Sequence, residues 1–436
     1  MVRIQKFIQK FKKLIVWVLL GVLTSWIVSC GTGNIGTTTK QGSSGIANVE
    51  FWTMQLQPQF TNYFKSLMTS FESQNPGIKV TWVDVPWTAM ESKILTAVSA
   101  KTPPDVVNLN PDFASQLAGR NAWLDLDAKI PNEVRSSYLP NIWKASTLNG
   151  KSFGIPWYLT TQLTIYNTDL LKQAGIKKSP VTYTELAQVA QQMKDKTGKY
   201  AFFLTFVPQD TGEVLESFVQ MGVTLVDAEG KAAFNSPQGK AAFQYWVDLY
   251  KKGLLPKEIL TQGHRRAIDL YQAGETAFLF SGGEFLENIA KNAPAIAKVS
   301  ATAPQVIGDN GKKNVAVMNV VIPRDSKQPD AALKFALFLT NDENQLTFAK
   351  AANVLPSTVK SLADSYFKDV PANASTLDKA RVISAQELRQ AEILTPRLKD
   401  IKRLQKAIYE NLQAAMLGEK TVDKAVEDAA NEWNSR

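Results

Sequence analysis

The chain has 436 residues, 44% of them apolar, with one cysteine, one histidine and a net charge of +9. A lone cysteine excludes an internal disulfide and a Cys-His dyad remote from it, and with a single histidine there is no His-rich metal site. The charge does not point to nucleic acid: Arg3, Lys6, Lys10, Lys12 and Lys13 precede Cys30 with no acid among them, and +9 less those five leaves +4.

The first element is that basic start followed by the uncharged run Leu14–Val28. A basic segment, an apolar stretch of roughly 7–15 residues and a small-residue junction have the layout of a secretory signal, whereas a spanning helix wants about 20 apolar residues. Ile27-Val28-Ser29-Cys30 resembles the lipobox of bacterial lipoproteins. That resemblance implies cleavage before Cys30 and lipid on its sulfur and new amino group. A retained signal anchor is the other reading, and either one exports and tethers the folded part. Residues 31–48 are rich in Gly, Thr and Ser and read as a flexible tether of about 25 Å.

About 390 residues follow from Val49, too many for one ordinary core, so two domains are expected. Val49–Trp52 predicts a strand. Phe60, Phe64, Leu67, Met68 and Phe71 recur at helical spacing until Asn75-Pro76-Gly77. Ile78, Val80 and Trp82 alternate as in a strand; a helix is predicted from about Thr88 to Ala100, then the strand DVVNLN and a helix closed by Gly119. Strands alternating with helices predict a mainly parallel sheet, whose ligands bind beyond the carboxyl ends of the strands. Those ends are Trp52, Asn110 and, later, Gly283. LTIYN is a further strand, and a helix-rich section follows. NVAVMNVVIP is another apolar strand, and the C-terminus carries an amphipathic helix with Ile401, Leu404, Ile408, Leu412 and Ala415, then a short helix from near Thr421.

FESQNPGIKV, TPPDVV, GIPWY…YNTDLLKQAG, FNSPQGKAAFQYWVDLYKKGLLP, AGETAF and LGEKTVDKAVEDA, in this order, resemble the extracellular solute-binding proteins of bacterial ABC importers, the family that includes maltose-binding protein. The resemblance covers nearly all of the chain after Ala47. It implies a periplasmic-binding-protein type II fold, two α/β lobes joined by crossing strands with the ligand cleft between them. On that basis the crossings fall near Leu159–Thr164 and Val315–Val321. Lobe 1 is expected at 49–162 plus 320–345, and lobe 2 at 163–319 plus 346–436. The implied partners are a sugar ligand, the transmembrane subunits of an ABC permease and, through Cys30, a membrane. No cofactor, no catalysis and no nucleic acid are expected, and a monomer is.

For the cleft, aromatic rings that stack on a pyranose face and polar groups that meet hydroxyls are the residue types to seek. Trp123, Trp143, Trp246 and Trp433 fall in helical or turn contexts that suit a core. Trp52 and Trp157 stand where a strand or crossing should open into the cleft, with Tyr158 beside Trp157, although each could also plug the core. Trp82 and Trp87 are weaker candidates. Gln55, Asn110, Asp112, Asp210 and Asn319 are the polar candidates, with helix capping as the alternative for Asp112. Glu284 stands where the family commonly places a stacking aromatic, implying charge-assisted hydrogen bonds there. His264, in the polar stretch QGHRRA, is expected to be exposed. An exported glycosidase needs only two carboxylates and is the alternative from another class, while the resemblance also admits a binder of a non-sugar solute such as a polyamine or glycerol phosphate.

Overall fold

The computed structural model describes residues 45–208 and 210–435, so the expectations for Cys30 and the segment before it lie outside the described residues. From Ile46 onward the chain forms one compact unit.

Strand β1 (Ala47–Met54) forms because its side chains alternate between two apolar layers: Val49 and Phe51 on one face, Trp52 and Met54 on the other. It pairs in parallel with β2 (Ile78–Val85) and β3 (Val106–Leu109), in register Phe51 with Trp82 and Val106. Parallel neighbours need long crossovers, and the helices Thr61–Gln74 and Trp87–Ser99 supply them. A small hairpin, β4 (Thr147–Leu148) and β5 (Lys151–Ser152), leads to β6 (Ile155–Thr161).

At Gln162 the chain leaves this sheet and enters a second one, made of β7 (Leu163–Asn167), β8 (Phe278–Ser281) and β9 (Ser300–Pro304) in the antiparallel order β8-β7-β9. It returns after Pro304 as β10 (Lys313–Val321), which runs antiparallel between β3 and β6, with β11 (Leu355–Pro356) at the edge beyond β6. The short β12 (Ala391–Glu392) pairs with the start of β10. The order of the large sheet is therefore β11-β6-β10-β3-β1-β2.

Two apolar layers cover the two faces of the large sheet, and a separate core fills the second lobe around Phe202, Phe206, Phe218, Trp246, Tyr271, Tyr409 and Trp433. Trp123, Trp143, Trp246 and Trp433 are buried as expected.

The lobe boundaries differ from those expected. All of β10 belongs to the large sheet, so the second passage lies at 305–312 and not at Val315–Val321. The segment after 345 also stays with the first lobe: Phe348, Leu355 and Phe367 share its core with Trp157. The return comes with helix Thr376–Leu388, whose Ala380 joins the second core while Ala385 and Leu388 join the first. Helical periodicity shows that Leu346, Phe348 and Ala349 face something apolar; it does not show which sheet.

Candidate functional site

The starts of three second-lobe helices, Glu213–Gln220, His264–Gln272 and Phe285–Asn292, come together around His264, and Asp112 and Tyr158 of the first lobe reach their acids. Each start leaves backbone N–H groups unpaired and a partial positive charge, which favours acidic side chains nearby. Asp210, Glu213, Glu216 and Glu284 collect there.

His264 is not exposed as expected. Its imidazole Nδ1 pairs with Glu213 at 3.0 Å, with 18% of the side chain accessible. Its backbone N–H donates to the Asp210 carboxylate. Burial by itself would lower its pKa, but Glu213, Asp210 and Glu284 outweigh burial and raise it to about 9. The imidazole is therefore a cation at neutral pH.

Two glycines make room for the acids. A Cβ on Gly263 would collide with the Asp210 carboxylate, and one on Gly282 would overlap that of Glu284. The Glu284 carboxyl folds back on its own backbone N–H; burial raises its pKa to about 7, with that bond and His264 opposing. Glu216 is pushed further, to about 8, by burial first and then by Glu213 and Asp112, against a hydrogen bond from Asn314.

The first lobe contributes Asp112, Tyr158, Asn108 and Asp84. Asp112 lies 3.9 Å from Lys402 of the second lobe, whose ammonium also donates to the Asp210 carbonyl oxygen at 3.2 Å. The Asp112 pKa is raised by burial, with Lys402 opposing, yet 39% of its side chain meets water. Protein on most sides with water still in reach describes the wall of a cleft and not a core. Tyr158 is half-buried; burial, Glu284 and Asp84 push its pKa up, and Asn108 hydrogen-bonds to it in the opposite sense. Asp84 itself is fully engaged, accepting from Thr53 Oγ1 at 2.6 Å and from the N–H groups of Leu56 and Gln57 at 2.9 and 3.0 Å.

The sequence candidates divide accordingly. Asp112, Tyr158, Asp210 and Glu284 come together between the lobes. Gln55 sits at the rim in a left-handed conformation (φ 53°), accepting from the Trp87 N–H at 3.2 Å, and Trp87 beside it is 45% exposed. Asn110 spends its side-chain oxygen as an N-cap on the Phe113 N–H at 2.8 Å.

Asn319 is buried at an irregularity of β10, its amide engaged by Ser146 and by the Val317 carbonyl. Trp52 packs under helix Trp87–Ser99, with the Lys93 ammonium 4.1 Å from its ring centre. Trp157 has no exposed surface: it stacks on Phe348 at 4.9 Å and touches Phe51, Phe64 and Tyr158. Both rings belong to the core because alternation in β1 and β6 turns them into apolar layers. Glu213, Glu216, His264, Lys402 and Asn108 were missed. The only sequence signal for the glutamates was their i, i+3 spacing after the Asp210 loop.

This architecture agrees with the comparisons. Residues 57–346 match the family of bacterial extracellular solute-binding proteins, and the chain belongs to that family. A periplasmic-binding protein of Synechococcus sp. MITs9220, provisionally described as binding oligosaccharides and solved with zinc, is 45% identical and superposes with a TM-score of 0.84, over 88% of this chain and 98% of that one. A maltose-bound protein of T. maritima shares the fold at 23% identity and a TM-score of 0.73, over 89% of this chain and 99% of that one. The galactooligosaccharide-binding protein of Bacillus subtilis is 24% identical, with 96% of each chain covered.

Proposed function

We propose that this protein is the exported receptor of an ABC importer, capturing a sugar between its lobes and delivering it to the permease. The observation that carries this is the cleft: carboxylates and a tyrosine hydroxyl, drawn from both lobes, converge where water still reaches Asp112. Such groups match sugar hydroxyls. The relatives support the ligand class, since they include proteins that bind diacetylchitobiose, mannitol and galactooligosaccharide. One chain supplies both walls, so a monomer suffices. Binding needs no cofactor and no catalytic residue; closing the lobes on the ligand is the working step.

Thermal-shift measurements on the body from about Ser43, against oligosaccharides, glycosides and polyols, test this reading. A ligand at a thousandfold excess over Kd should raise stability by about 4 kcal/mol. Absence of a shift with every sugar, or cleavage of a glycoside in the same wells, counts against it.

Cys30 is the proposed lipid anchor. Cys30→Ser should leave an uncut precursor in membranes, while the folded body keeps its ligand affinity. A normally cleaved N-terminus in that variant, read by mass spectrometry, would remove the lipoprotein assignment.

A further inference from the structure

Trp52 and Trp157 are spent in the core, and the indole that the first lobe presents to solvent is Trp87. Among the described residues it is the most exposed aromatic side chain, at 45%. Its place in the fold explains why. It opens helix Trp87–Ser99, whose inner stripe packs Met90 and Ile94 against the first-lobe sheet with no accessible surface. Trp87 stands three residues before Met90 and seven before Ile94, so it continues that stripe. The paired strands beneath end at Met54 and Val85, and helical side chains lean toward the N-terminus of their helix. The ring therefore overhangs the carboxyl ends of β1 and β2, on the packing side of its helix but with no sheet left to cover.

The backbone that carries the ring is fixed. Pro86 precedes it, and the Gln55 side chain, from a residue held in the left-handed region (φ 53°), accepts the Trp87 N–H at 3.2 Å. The Gln55 N–H in turn donates to the Val85 carbonyl oxygen at 2.9 Å. A group ordered before its ligand arrives loses less freedom on binding. The ring also has a measured relation to the cleft. In the strand order β3-β1-β2, two strand spacings of roughly 5 Å separate the ends of β3 and β2. Asp112 follows the end of β3 and stands 3.9 Å from Lys402 of the other lobe. Trp87 thus lies on the same edge of the sheet as the cleft wall, two strands outward from it.

Resting on the reading of the protein as a sugar receptor, we propose that Trp87 is the outer stacking platform of the cleft and that it selects for chain length. An inner ring of an oligosaccharide meets the polar groups around Asp112, and a later ring lays its apolar face on the indole. Sugar ring faces are apolar, and a flat, exposed indole matches them in shape and polarity. A single ring held at Asp112 leaves Trp87 uncovered. A polyol has no ring face and gains nothing from it.

The test uses graded series on several backbones (glucose, galactose and N-acetylglucosamine types), from one ring to four, titrated calorimetrically into the parent, Trp87→Ala and Trp87→Phe. In the parent, Kd should fall by at least about tenfold between the shortest member that binds and a longer one. Trp87→Ala should erase that gain and leave the Kd of the shortest member unchanged. Its ligand-free melting temperature should stay close to the parent's, because the ring is not core. Trp87→Phe should restore most of the gain. If the alanine variant folds poorly, fluorine NMR of fluorotryptophan-labelled protein decides instead, with the Trp87 signal identified by its loss in Trp87→Phe. That signal should move with the longer member and stay still with the shortest. Single sugars that bind as tightly as their oligomers, or a Trp87→Ala variant that binds every length as the parent does, overturn the proposal and leave the receptor reading intact. An equal loss at all lengths overturns it too, by placing the ring in the inner site. No binding by any sugar overturns both.

Discussion

Around Trp157 in the first lobe, Phe51, Phe64 and Phe348 pack ring against ring, and all four side chains are buried. Across the cleft, Glu213, Glu216, His264 and Glu284 gather titratable groups in nearly as enclosed a setting. The first arrangement gains packing beyond the area its rings bury, and the polar atom it leaves unpaired is the Trp157 indole Nε1. The second differs: burial disfavours the ionised forms of Glu216 and Glu284, and at Glu216 the carboxylates of Glu213 and Asp112 add to that effect. One lobe thus gains stability near the crossing from packed rings, while the other encloses acids that burial keeps protonated toward neutral pH.

The largest effect expected from breaking this contrast is on the aromatic side. Trp157→Ala should cost about 3–5 kcal/mol of stability, as other large-to-small core changes do. The folded fraction, assayed well below its melting temperature, should bind sugar nearly as the parent does. A tenfold loss of affinity at unchanged melting temperature would show instead that the ring meets the ligand.

The charged side should respond to pH. Folded Glu284 and Glu216 hold protons up to about pH 7 and 8, where the unfolded chain has lost them near 4.5. Folded His264 holds its proton to about pH 9, against 6.5 for a free imidazole. In all three cases the native state binds more protons than the unfolded one, so stability should fall as pH rises from about 5 to 9. Melting temperatures of the ligand-free protein across that range check the direction. A curve that rises toward pH 9 would mean that the acids are not enclosed as described.

Glu216→Gln sharpens the same point at a single site. Above pH 8 the variant no longer ionises a buried carboxyl and should be more stable than the parent, by on the order of 1–2 kcal/mol. Near pH 5, where Glu216 is protonated, the two should melt together. Equal melting at both pH values would place Glu216 in open water.

The smallest effect belongs to Asn110. As an N-cap, its replacement by Ala should cost about 1 kcal/mol with sugar affinity unchanged. Lost affinity without lost stability would return Asn110 to the ligand.

Much of the fold was legible because local pattern and tertiary role coincide. The alternation in Val49–Trp52 and Ile78–Val85, the helical spacing of Phe64, Leu67 and Phe71, and the apolar run of NVAVMNVVIP each mark an element whose buried face follows from its period. The candidate site was legible only in part. Asp112, Asp210 and Glu284 are polar residues at strand or helix ends, and the rule that ligands gather beyond the carboxyl ends of strands finds them. The same rule selected Asn110 and Trp52, because it locates a neighbourhood and is blind to where a side chain points.

The sequence by itself determined the alternation of strands and helices and the caps that close individual helices, because these depend on residues within a few positions of one another; the two lobes were implied only by resemblance to a family. Only the tertiary structure decided that Phe348 stacks on Trp157, that His264 pairs with Glu213, and that Asp112 confronts Glu216. These contacts join residues 191, 51 and 104 positions apart. No local period encodes them. Whether a tryptophan becomes core or cleft, and whether a glutamate keeps its proton, depends on which distant surface the completed fold brings against it.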